Sequence, residues 1–165
     1  MMDLNYIQTP LRNQTIEEQI KDFYLLNNKE RTYQHVLGVA MAAEKLALQY
    51  QEDIRACIVA ALLHDISAVI TPQDMMKIAN ELQWQLDSAE KIYPFLLHQK
   101  ISALIAYEYF QIRNLSILKA IESHTTLRSN PSKLDMIIFI ADKLAWDQPG
   151  EPPFKKNIEM ALNDS

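Results

Sequence analysis

Along this chain the apolar residues return every three or four positions, the spacing that lays one oily stripe down an α-helix. The clearest run is 32–50, where Val36, Val39, Ala40, Ala43, Leu46, Ala47 and Tyr50 share a face. Segment 52–64 is apolar almost all round, from Ile54 through Leu63, and predicts a buried central helix. Thr15 can cap a first helix over 15–27. Thr71-Pro72 opens a short one to residue 82. Another covers 87–93 and stops before Pro94, because the residue ahead of a proline resists the helical conformation. Later helices are expected over 97–110, 114–124 and 132–146. A short final helix follows the stretch Gln148-Pro149-Gly150-Glu151-Pro152-Pro153. No segment alternates as a strand does. The expectation is an all-α, single-domain bundle of seven to nine helices, with a polar arm at 1–14 and the domain over 15–165.

Composition narrows the class. The chain is 48% hydrophobic and 22% charged, ordinary for a globular domain, and its two glycines disfavour a loop-rich fold. Gly38 falls inside the 32–50 helix, where it implies either a close helix–helix approach or a plain packing contact. The lone Cys57 lies in an apolar run and reads as a buried thiol in a reducing, cytoplasmic setting. No Lys/Arg-led apolar segment opens the chain, so a secretory signal is not expected. Runs such as 58–63 and 136–141 are too short to span a bilayer. A net charge of −5 argues against nucleic acid as partner. It leaves an anionic small molecule open, since bound metal can supply positive charge locally. The surface permits a homodimer without requiring one.

The candidate chemistry lies in four histidines, His35, His64, His98 and His124, and two aspartates, Asp65 and Asp142. Asp142 sits in an apolar run, where a buried carboxylate needs a cation or strong donors. Imidazole with carboxylate suits iron, manganese, zinc or similar ions. Singly, each residue has a plainer explanation: a hydrogen-bonded core histidine, an aspartate on a solvated face (Asp135 as much as Asp142), or a histidine favouring a helix C-terminus. Arg31, four residues before His35 on the same helix face, can grip a phosphate or serve a surface ion pair. Thr125, Thr126 and Arg128 follow His124 and can bind phosphate or sugar oxygens, or simply cap a turn. Lys143 adjoins Asp142 but points about 100° away from it on a helix. Trp84, Trp146, Tyr107 and Tyr109 read as packing residues before nucleobase contacts.

The order of these residues is more specific than any one of them. Tyr33-Gln34-His35-Val36-Leu37-Gly38, Ala61-Leu62-Leu63-His64-Asp65, Leu96-Leu97-His98, Glu122-Ser123-His124-Thr125-Thr126 and Ile140-Ala141-Asp142-Lys143 follow one another over residues 31–142. This series resembles the HD superfamily of metal-dependent phosphohydrolases, in particular its YqeK-type branch, which cleaves symmetrical dinucleoside tetraphosphates. The resemblance implies that His35, His64, Asp65 and Asp142 hold one metal, and that His98 and His124 hold a second with Asp65 bridging. It implies one or two divalent or trivalent ions, iron favoured, with manganese, cobalt, zinc or magnesium as alternatives. Asp65 and Arg31 would be the catalytic residues, and Arg31, Thr125, Thr126, Arg128 and Lys143 the substrate-binding ones. The favoured substrate is a dinucleoside polyphosphate such as diadenosine tetraphosphate. A mononucleotide phosphatase, a nucleotide phosphodiesterase, or a silent module binding a nucleotide or protein are the alternatives. Two positions depart from the branch: Ala68 stands where a lysine is usual, and Leu127 where a glycine is.

Overall fold

The computed structural model describes residues 7–146, 150, 152 and 154–163. The expectations for 1–6 of the arm, and for 147–149, 151 and 153 of the Pro/Gly stretch, lie outside the described residues. Among the described residues the architecture is all-α: α1 Ile16–Leu26, α2 Glu30–Tyr50, α3 Ile54–Leu63, α4 Pro72–Glu81, α5 Ser88–Ile92, α6 His98–Glu108, α7 Leu115–Glu122, α8 Lys133–Leu144 and α9 Lys155–Asn163. Two short 3-10 turns, Ile66–Val69 and Pro94–Leu97, lie before α4 and before α6.

The helix starts follow local chemistry. Thr15 and Glu18 form a reciprocal capping box on α1, as Asp87 and Glu90 do on α5 and Ser132 and Asp135 on α8. Asp53 caps α3, and Thr71 caps α4 with Pro72 in the first turn. The packing follows the hydrophobic pattern. α3 is buried along most of its length and lies against α2, α7 and α8. α2 packs on α3 and α8 through Val36, Val39, Ala40, Ala43, Leu46 and Ala47, the stripe seen in the sequence. Gly38 does not mark a forced approach. A methyl placed on it would meet Ala145 Cβ at 3.6 Å, an ordinary van der Waals distance, so the plain packing contact is the right reading. Cys57 is buried, and burial, followed by Glu52 and Asp53, pushes its thiol up to about 12. Among the described residues no single helix is long and apolar enough to cross a membrane.

Candidate metal centre

The six residues singled out in the sequence converge on one point inside the bundle. His35 comes from the first turns of α2, and His64 and Asp65 leave the end of α3. His98 opens α6, His124 follows α7, and Asp142 lies in the last turn of α8. The contacts form a chain. His35 Nε2 is 3.1 Å from Asp142 Oδ1, which is 3.6 Å from His64 Nε2. His64 Nε2 is 3.7 Å from Asp65 Oδ2, and Asp65 Oδ1 is 3.5 Å from His124 Nε2 and 3.7 Å from His98 Nε2. Two sets present donor atoms close enough to share an ion: His35, His64 and Asp142, and His64, Asp65 and His124.

One local device sets three of the four imidazoles. His64 Nδ1 donates to Ala61 O at 2.7 Å, His98 Nδ1 to Phe95 O at 2.7 Å, and His124 Nδ1 to Ile121 O at 2.8 Å. Each carbonyl lies three residues upstream, at a helix or 3-10 turn end, where carbonyls lack intrahelical partners. A proton fixed on Nδ1 leaves a lone pair on Nε2 of the neutral ring, aimed into the cluster.

The arrangement fits cations. His98 Nε2 and His124 Nε2 stand 3.0 Å apart, so in the neutral rings two lone pairs face each other at hydrogen-bond distance. Only a shared proton or a cation relieves that contact. His64 Nε2 is buried without a hydrogen-bond partner. The electrostatics point the same way. Burial acts to lower the His64 pKa, but the Asp65 and Asp142 carboxylates outweigh it and raise it to about 9. Burial would raise Asp65, yet the surrounding His64, His124 and His98 hold it well below the usual carboxylate range. Asp142 is likewise held low, against burial, by His35, His64 and Lys143. His98 is lowered to about 4 by burial and by His124. A centre that concentrates negative charge on two carboxylates and directs imidazole lone pairs inward is one that binds positive charge.

The other expected residues are placed variously. Arg31 lies in the first turn of α2, exposed, one turn before His35. Lys143 Nζ is 2.6 Å from Asp142 Oδ2, closer to the cluster than its helical offset suggested. Thr125 Oγ1 is 3.1 Å from His98 Nε2, and Thr126 Oγ1 accepts from Gln99 Nε2 at 3.1 Å. Arg128 is engaged elsewhere: its Nη2 is 2.6 Å from Oδ2 of Asp135, which is fully buried rather than on a solvated face. That pairing gives one guanidinium nitrogen to a buried carboxylate of the fold. Trp146 packs on Phe154, and Tyr109 donates to Pro10 O at 3.0 Å.

Several supporting residues gave no sequence signal. Ser67 Oγ donates to His98 O at 2.8 Å and accepts from Ser102 Oγ at 3.0 Å, tying the turn after Asp65 to α6. Gln99, buried, accepts the Thr125 N–H at 3.2 Å and so fixes the strand of chain beside His98. A serine two residues after a histidine–aspartate pair, or a glutamine next to a histidine, would have been the only hint.

An all-helical bundle with a histidine–aspartate cluster buried at the junction of five helices defines a class of cation-binding domain. Comparison with known proteins gives the family: the HD domain model matches residues 32–147, and the chain belongs to the HD-domain family. It is 36% identical over 137 residues to the symmetrical bis(5'-nucleosyl)-tetraphosphatase of Halalkalibacterium halodurans, covering 81% of this chain and 72% of that one. It is 41% identical over 105 residues to an uncharacterized protein in the pepC 5'region of Lactococcus lactis subsp. cremoris, covering 64% of this chain and 54% of that one. It therefore spans only about half the length of that relative. Among solved structures it is similar to an HD superfamily hydrolase of Clostridium acetobutylicum described as involved in NAD metabolism. The TM-score is 0.79 at 31% identity, covering 89% of this chain and 79% of that one.

Proposed function

We propose that this chain is a metal-dependent hydrolase of nucleotide phosphoanhydride bonds, with a symmetrical dinucleoside tetraphosphate such as diadenosine tetraphosphate as substrate and two nucleoside diphosphates as products. The observation that carries the reading is the convergence of His35, His64, Asp65, His98, His124 and Asp142 into one histidine–aspartate cluster. The name of the Halalkalibacterium relative supports the substrate class. His35, His64, Asp65 and Asp142 would hold one ion, and His98 and His124 a second with Asp65 between them. Bound ions supply positive charge to the phosphoryl oxygens and make a water acidic enough to attack at neutral pH. Asp65 would orient the attacking water. Arg31 and Lys143 hold substrate phosphates, and Thr125 and Thr126 offer hydroxyls to phosphate or sugar oxygens. Iron is the favoured ion because the family resemblance implies it; the mixed imidazole and carboxylate donor set suits manganese or zinc as well. The lone, buried thiol of Cys57 supports a cytoplasmic setting.

The test is metal analysis of the purified protein with turnover of a nucleotide panel. The expected result is retained iron, or activation by manganese or cobalt, with diadenosine tetraphosphate converted to ADP. Absence of metal and of turnover with any added ion would overturn the reading. A silent nucleotide-binding module is the second reading, favoured by Ala68, which offers no cation in the turn after Asp65. Tight nucleotide binding without turnover would select it.

A further inference from the structure

Phe95 occupies the 3-10 turn Pro94–Leu97, three residues before His98. Its carbonyl accepts the His98 Nδ1 proton, and its ring lies flat on the His98 imidazole, with centroids 4.5 Å apart and planes inclined by 14°. His98 is buried, yet Phe95 is 59% exposed. One ring face is used against the imidazole, and more than half of the residue stays open to water. Ile92 and Tyr93, which precede it in the chain where α5 gives way to the turn, are also exposed, at 67% and 65%. Large apolar side chains grouped in water beside a polar centre mark a place where something docks.

We propose that Phe95 is the platform on which the substrate's nucleobase stacks, with Tyr93 beside it, while the phosphates of the same nucleotide reach the histidine–aspartate cluster. The inference rests on the nucleotide reading above and adds a site for the base. Its occupant follows from shape and continuity. The Phe95 ring is both stacked on a cluster imidazole and largely exposed, so a base laid on its outer side would extend the existing imidazole–phenyl stack. Stacking on a bare aromatic ring discriminates little among bases by hydrogen bonding. It rewards area, so a purine is held better than a pyrimidine. Phe95 acts through its ring on the substrate and does not touch the bond that breaks.

The experiment uses Phe95→Trp, Phe95→Ala and Phe95→Tyr in the full chain. In Phe95→Trp the new indole is titrated with ADP and, separately, with inorganic pyrophosphate, with wild-type Trp84 and Trp146 fluorescence as background. ADP is expected to quench the new signal and pyrophosphate to leave it unchanged. In Phe95→Ala the KM for diadenosine tetraphosphate is expected to rise about ten-fold, within the range stacking losses produce, and by more than kcat falls. Phe95→Tyr restores it. Equal quenching by pyrophosphate, or an unchanged KM in a chain that turns over the dinucleotide, overturns the proposal and leaves the function standing. If Phe95→Ala instead breaks a dimer in sedimentation at unchanged KM, a second copy covers this surface and the proposal falls. If the wild type neither binds ADP nor cleaves any nucleotide, the nucleotide reading itself has failed.

Discussion

Replacing Arg128 by glutamine separates a role in folding from a role in substrate binding. Arg128 Nη2 lies 2.6 Å from Oδ2 of Asp135, whose side chain has no solvent exposure. That oxygen also accepts the Ser132 N–H at 2.7 Å, while Oδ1 is buried without a partner. Breaking a buried pair from one side costs about 3–5 kcal/mol because the remaining charge is stranded. Arg128 is itself 37% exposed, so water screens part of the interaction, and exposed pairs contribute at most about 1 kcal/mol. The expected loss therefore falls between these limits, at about 2 kcal/mol. For a domain of this size that lowers the melting temperature by about 4–8 °C. The assay is thermal unfolding by circular dichroism of Arg128→Gln, Asp135→Asn and the double variant. Asparagine keeps an oxygen for the Ser132 cap, so the cycle isolates the charge pair. The double variant is expected to be less destabilised than the sum of the two single ones. The KM of Arg128→Gln for a dinucleoside tetraphosphate is expected to stay near wild type. An unchanged melting temperature with a KM raised about ten-fold, a loss typical of one charged contact to substrate, would refute this reasoning and restore Arg128 to the substrate.

Other expectations follow from the same structure. Asp65→Ala removes the carboxylate between His64, His98 and His124; elemental analysis should show lost metal and kinetics no turnover, and retained activity would mean the centre is misassigned. Gly38→Ala should raise stability by about 0.5–1 kcal/mol, because the helix gains a better former and the methyl has room; a lower melting temperature would show that α2 and α8 have no slack. Cys57, pushed up to about 12, should resist alkylation in the folded protein at pH 8 and react fully in denaturant. An unfolded thiol ionises near its ordinary value, so this group's contribution to stability is complete below about pH 9 and declines as pH rises towards 12. Rapid labelling of the native protein would contradict the buried placement.

The parts of the fold that repeat were legible, and the parts that do not were not. The α2 stripe and the all-round apolarity of α3 are periodic, and their helices stand within two residues of the expected limits. The two 3-10 turns are four residues long each, too short for a period to register, yet they carry Phe95 and set the entry to His98. The spacing of the six cluster residues survived because each stands at or near a helix end, a position that local capping chemistry determines. Partner choice is different: whether Arg128 meets Asp135 or a ligand is decided by tertiary packing, and nothing in their seven-residue separation selects it. Leu127 shows a third case. Its φ of 55° is the left-handed conformation in which glycine is usual, so the backbone bend persists here although the residue that relaxes it is absent.

The cluster also has a mechanical meaning. The chain has one cysteine, so no covalent link within it can restrain the unfolded state. His35 and Asp142, 107 residues apart, nevertheless meet at 3.1 Å, with His64, Asp65, His98 and His124 drawn in between. A cation held there would tie α2, α3, α6, α7 and α8 into one knot, closing several long loops together as a set of cross-links does. Removing it would loosen the junction of all five helices together, while the apolar core still holds them. Proteolytic resistance and metal content should therefore fall in step, and the proposed hydrolytic centre would double as the bundle's fastening.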